Sequence, residues 1–121
     1  MKKLILGFGL LAVTAFGQQV SQQGDAKRGE KLFKDYSCYA CHGFSGQNGP
    51  GARLVPMKMA TVAFIAYVRN PPRANQMPSY STKVLSDQQM ADIWAYLKTL
   101  PDSPPAKDIP LIEELKAEAS K

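Results

Sequence analysis

Apolar side chains recur along this chain at helical, not strand, spacing. In the stretch Ala26 to Tyr36, Gly29, Leu32 and Phe33 share one face. Lys27, Arg28, Lys31 and Lys34 take much of the remainder, and Asp25 stands where a helix cap belongs. A second helix is predicted over Met57 to Arg69, with Thr61 as candidate cap. Val62, Ile65 and Val68 run along one face, Phe64 and Tyr67 lie beside it, and Asn70-Pro71-Pro72 ends it. The third pattern is the clearest. Met90, Ile93, Trp94 and Leu97 fall at i, i+3, i+4 and i+7, behind a capping box of Ser86 and Gln89. Pro101 stops it. Gly43 to Gly51 is too rich in glycine for regular structure, and Arg73 to Val84 reads as a loop carrying Met77-Pro78. No alternation calls for a sheet, so the predicted class is all-α, with three to four main helices.

The first residues have a different character. Lys2 and Lys3 precede a continuous apolar or glycine run, Leu4 to Val13, and Ala15 and Gly17 supply the small residues of a cleavage site. Residues 1–17 therefore read as a secretory signal peptide cut after Gly17. The run is shorter than the ~20 residues that span a bilayer, so no stable membrane span is expected after cleavage. Residues 18–24 form a polar, flexible lead-in. One small domain follows over 25–101. A Pro-rich extension, 102–121, begins as a semi-rigid linker. Within it Pro110 opens a candidate short helix bearing Leu111, Ile112 and Leu115. That stripe either folds back on the domain, the favoured expectation, or docks a partner.

Charge narrows the partners. Without Lys2 and Lys3 the chain holds 13 basic and 10 acidic side chains, a formal +3. Residues 18–101 hold ten basic and five acidic groups, and the tail from Asp102 three basic and five acidic. A basic body suits an acidic partner surface, although an ordinary solvated face has the same composition. Nucleic acid is a poor match for an exported chain with no binding motif.

The chemistry is concentrated in Cys38-Tyr39-Ala40-Cys41-His42. Cys-x-x-Cys-His is the attachment signature of a c-type haem. Two thiols one helical turn apart reach the two vinyl groups on one porphyrin edge, and the adjacent imidazole lies beneath the ring as an iron ligand. A structural zinc site wants four Cys or His ligands. This chain has two Cys and one His, so it cannot close such a site alone. A thioredoxin-like pair would sit near a βαβ pattern, which is missing. A plain disulfide suits an exported protein but leaves His42 unexplained.

With these elements in order, the chain resembles a class I c-type cytochrome over about Gly24 to Leu100. Cys38, Cys41 and His42 match the attachment site, Met77-Pro78 the sixth-ligand loop, and Gly29 and Phe33 the first helix where it packs on the last. Ile93 to Leu97 match that last helix, with Tyr96 as crossing aromatic. The tail from Pro101 and the short loop between His42 and Pro50 depart from the pattern. The resemblance implies a cytochrome c fold around one covalent haem c, with iron held by His42 and Met77. His42 is the sole histidine, which excludes a bis-histidine site within the chain. Met90, Met57 and Met59 read as packing residues. A five-coordinate iron is the rival to Met77.

The resemblance also implies an acceptor for the second imidazole N–H. The family uses a proline carbonyl in a segment like Gly49-Pro50-Gly51-Ala52-Arg53-Leu54, which makes Pro50 the candidate; a plain turn is the other reading. Arg53, Arg69 and Arg73 are candidate partners of haem propionates, or simply solvated. Tyr80 and Trp94 either approach the haem or only pack. The expected function is that of a periplasmic or otherwise exported monohaem carrier, passing single electrons between redox proteins and not itself an enzyme. The alternative is the cytochrome subunit of an exported dehydrogenase or oxidase complex. A haem peroxidase or gas-binding protein is less favoured, because no second His or other acid–base residue is evident to serve it.

Overall fold

The structure is a computed structural model that describes residues 23–121. The expected signal peptide, residues 1–17, and residues 18–22 of the expected lead-in lie outside the described residues. Among those described there are five α-helices and no strand: α1 Ala26–Asp35, α2 Cys38–His42, α3 Thr61–Arg69, α4 Asp87–Thr99 and α5 Pro110–Ala119, with a 3₁₀ turn at Ala106–Asp108. No helix among them is long and apolar enough to cross a membrane.

The frame is the crossing of α1 and α4. Asp25 caps α1 by accepting the Arg28 backbone N–H at 3.0 Å. Gly29, Leu32 and Phe33 are its buried residues, as the spacing predicts. Ser86 and Gln89 form the predicted capping box of α4, and Met90, Ile93 and Leu97 are buried behind it. The helices touch backbone to backbone at Gly29, where even a methyl group would meet the Asp92 carbonyl oxygen. The Phe33 and Tyr96 rings meet at 5.6 Å across the crossing. Asp92 is fully buried there, yet every bond it needs is present. Its carboxylate accepts from the Asp25 N–H at 2.8 Å, from Arg28 Nε at 2.5 Å and Nη2 at 2.9 Å, and from Gln88 at 3.2 Å.

The remaining elements are secured to this frame. Trp94 Nε1 donates to the Met59 carbonyl at 2.8 Å, holding the segment before α3 against α4. Tyr36 Oη donates to the Val84 carbonyl at 2.9 Å, tying the entry of α4 to the end of α1. Leu32, Phe33, Val55, Met57, Phe64, Val68, Leu85, Met90, Ile93 and Leu97 form one core.

Helix α3 departs from expectation twice. It starts at Thr61 with Ala60 as cap, and Thr61 is buried inside it. The segment predicted as its first turn is irregular instead, with Met57 in the core and Met59 exposed. Its buried face is Thr61, Phe64 and Val68, while Val62 and Tyr67 are exposed. A helix apolar nearly all round gives periodicity no basis for choosing a face.

The tail also differs. The helix opened by Pro110 forms, but α5 touches only the 3₁₀ turn before it and none of α1–α4. Leu111 and Leu115 are exposed. The favoured expectation of a fold-back is therefore not met. Two leucines and Ile112 offer too little apolar area to offset the entropy of fixing a linker of several residues.

Candidate haem site

Helix α2 is one turn long. It follows α1 after Ser37, whose left-handed backbone (φ 57°) redirects the chain. The turn brings Cys38 and Cys41 to successive levels of one helix, and both thiols are free. Cys38 is half-buried and Cys41 exposed. Burial pushes the Cys38 thiol up to about 11, with neighbouring Cys41 adding to the shift. Among the described residues no three His, Cys, Asp or Glu side chains converge as a metal site would require. The zinc and disulfide readings therefore find no support in the geometry.

His42 Nδ1 lies 2.7 Å from the Ala52 carbonyl oxygen. A carbonyl can only accept, so Nδ1 carries the proton and Nε2 of the neutral ring keeps its lone pair for a metal. This is the arrangement by which metal-bound imidazoles are oriented. The acceptor is Ala52, not Pro50, which corrects the sequence expectation by two residues. The Gly51 N–H donates to the Cys41 carbonyl at 2.6 Å, so the loop is fastened to α2 at Gly51 and the next carbonyl faces the ring. A side chain at Gly51 would lie 2.8 Å from Cys41 O and 3.1 Å from His42 Nδ1, leaving no room for a larger residue at this junction.

The loop bearing Met77 meets the end of α1 through Tyr80. Arg69 Nη1 donates to the Tyr80 carbonyl at 2.6 Å, and the Tyr80 N–H donates to the Val68 carbonyl at 3.3 Å. These bonds hold the loop to α3. The Tyr80 ring stands edge-on to Tyr36 at 6.2 Å. Burial raises the Tyr80 phenol above its usual range, and Cys38 and Cys41 add to this. Met77 is half-buried against the core, whereas Met57 and Met90 are buried within it. Met59, expected as packing, is exposed instead.

The three arginines separate. Arg53 pairs with Asp102 and donates to Val55 O at 2.6 Å and Gln47 Oε1 at 2.8 Å. Arg69, largely buried, pairs with Asp87 as well as holding Tyr80. Both are engaged within the polypeptide. Arg73 is exposed and has no ion-pair partner among the described residues. Trp94 is a packing residue whose N–H is used by Met59 and whose ring lies 5.6 Å from Lys98 Nζ. The residues that sequence reasoning missed are Ala52, Gln47 and Asp102. Ala52 acts through its backbone and leaves no mark on side-chain patterns. The other two join only when segments distant in the chain meet.

The profile of the family described as cytochrome c oxidase, cbb3-type, subunit III matches residues 24–97. The chain belongs to this family. It is a c-type cytochrome of the class I kind, its helical fold agrees with the cytochrome c fold, and its cofactor is covalently bound haem c with iron. Comparisons with curated proteins and with solved structures returned no match. The residues present fit that cofactor: two free thiols one turn apart, and an imidazole whose Nδ1 is already occupied.

Proposed function

We propose that Cys38 and Cys41 carry the haem through thioethers, that His42 Nε2 and the Met77 sulfur are the axial ligands, and that the exported protein passes single electrons between redox partners. The bond from His42 Nδ1 to the Ala52 carbonyl carries this reading, because it fixes the tautomer and leaves the metal-binding nitrogen free. The haem supplies a one-electron iron couple. The polypeptide orients the imidazole, excludes water with its core and selects the potential. A Met/His ligand pair favours reduced iron, so the potential is positive.

The surface supports a partner of opposite charge. Glu30, Asp35, Asp87 and Asp92 are each ion-paired and Asp25 caps α1. Lys58, Arg73 and Lys83 are exposed, with no ion-pair partner among the described residues. The body therefore presents unbalanced positive charge on the segments flanking α3, suited to an acidic docking surface in the periplasm. Residues 1–17 are the export signal in this reading.

A second reading makes the chain a subunit of an oxidase. The family description and the unattached helix α5 favour it. Mild extraction from the native host separates the two: a free carrier elutes at its own mass, and a subunit elutes with a larger terminal oxidase.

The ligand assignment is tested by optical spectra of wild type and Met77→Ala, with Met59→Ala as control. The wild type gives a reduced c-type spectrum and an oxidised near-infrared band from methionine-to-iron charge transfer. Met77→Ala loses that band and Met59→Ala keeps it. The opposite outcome would transfer the role to Met59.

A further inference from the structure

The carbonyl that meets His42 belongs to the peptide unit joining Ala52 to Arg53, so whatever fixes Arg53 fixes the direction of that carbonyl. Arg53 is held at three points. Its Nε donates to Val55 O at 2.6 Å, and its Nη2 donates to Gln47 Oε1 at 2.8 Å and pairs with Asp102. Gln47 is the hub. Its Oε1 also accepts from the Ser103 N–H at 3.1 Å and from Ser103 Oγ at 2.5 Å, while its Nε2 donates to Pro101 O at 2.8 Å. The backbone closes the neck of the same loop, where Leu54 N and Val55 N both donate to Gly46 O. Residues 47–53 are thus clasped at their base and bolted to the first residues beyond α4. Past Ser103 the tail packs on none of α1–α4. The linker is bonded to the histidine loop at Pro101 and Ser103.

We propose that Gln47, Arg53, Asp102 and Ser103 are positioning residues through which the chain beyond α4 sets the hydrogen bond between Ala52 O and His42 Nδ1, and with it the potential of the bound iron. The inference rests on His42 being the iron ligand. A stronger bond to Nδ1–H makes the imidazole a better electron donor and stabilises oxidised iron. Slackening the latch weakens the bond and raises the potential. Because the fastened segment leads through the 3₁₀ turn into the unattached helix α5, a partner that pulls on α5 changes the potential without touching the haem.

The test uses the full-length holoprotein with Gln47→Ala, Ser103→Ala, Asp102→Asn and Asp102→Glu. Asp108→Asn serves as a charge control outside the latch. Two quantities are read: the reduction potential, and the exchange rate of the His42 Nδ1–H proton in the reduced, diamagnetic protein by NMR. Gln47→Ala, which changes no charge, is expected to raise the potential and speed proton exchange several-fold. Ser103→Ala shifts both less and is the fallback should Gln47→Ala not mature. Asp102→Asn acts in the same direction and Asp102→Glu recovers most of the wild-type values, whereas Asp108→Asn leaves the exchange rate unchanged. Unaltered potential and exchange in the latch variants, with haem spectra intact, would overturn the proposal while leaving the ligand assignment standing. A wild type whose Nδ1–H signal is missing because His42 does not bind iron would overturn both.

Discussion

A methyl group placed on Gly29 would sit 1.9 Å from the carbonyl oxygen of Asp92. Backbone meets backbone here, and the angle between α1 and α4 depends on it. Because α4 anchors the segment before α3 and α1 runs into α2, the crossing sets the position of the haem site. Gly29→Ala forces the helices apart and is expected to cost about 3 kcal/mol, the upper part of the range for overpacked cores. Urea unfolding of the mutant holoprotein measures it, with a lower midpoint and an unchanged slope.

Asp92 links stability to pH. Burial alone would raise its pKa, but the bonds from Arg28, the Asp25 N–H and Gln88 outweigh that and hold the carboxyl below the ordinary range. The folded pKa is depressed, so the stabilisation is complete above the unfolded value of about 3.9 and is lost as pH falls through the folded one. Asp92→Asn is therefore less stable than wild type at neutral pH. The gap narrows under acid, and unfolding midpoints taken from neutral pH down to about pH 3 follow it. A gap that stayed constant with pH would exclude Asp92 as the titrating group.

Phe33 is almost wholly buried and meets Tyr96 across the crossing. Phe33→Ala removes the largest apolar side chain α1 contributes and is expected to cost about 3–5 kcal/mol. Tyr96→Phe keeps the ring and should fall within about 1 kcal/mol of wild type. Thermal denaturation of the pair separates the ring contact from the hydroxyl.

A methyl group on Gly51 would press on both Cys41 and the imidazole of His42. Gly51→Ala pushes the loop away from α2 and lengthens the bond from Nδ1 to Ala52. The expected result is a raised reduction potential with the axial ligands retained, read by redox titration followed optically.

Helix α5 contributes nothing to the core, so its apolar residues are expendable for stability. The double change Leu111→Ser, Leu115→Ser should leave the unfolding free energy within about 0.5 kcal/mol of wild type. Amide hydrogen exchange should find α5 far less protected than α1 and α4. Strong protection of α5 in the isolated protein would show that it folds back after all.

Much of this protein is local and therefore legible in one dimension. Cys38-x-x-Cys41-His42 names its chemistry because attachment needs two sulfurs on one helical turn and an adjacent imidazole. Asp25, and Ser86 with Gln89, mark where α1 and α4 begin, because a cap satisfies the orphan N–H groups within three residues. The buried faces of α1 and α4 follow from their spacing, since each has a polar side to contrast with the apolar one. Helix α3 lacks that contrast, and its face was decided in tertiary contact, where Trp94 and Lys98 hold the segment before it against α4. The acceptor for His42 was likewise set by tertiary structure. Gly51 is fastened to Cys41, and that contact, not the proline, determines which carbonyl reaches the ring. Arg53 and Arg69 looked available because their carboxylate partners lie 49 and 18 residues away. Elements and motif are written in near neighbours, whereas the choice of partner for each backbone carbonyl and each charge waits on distant segments coming together.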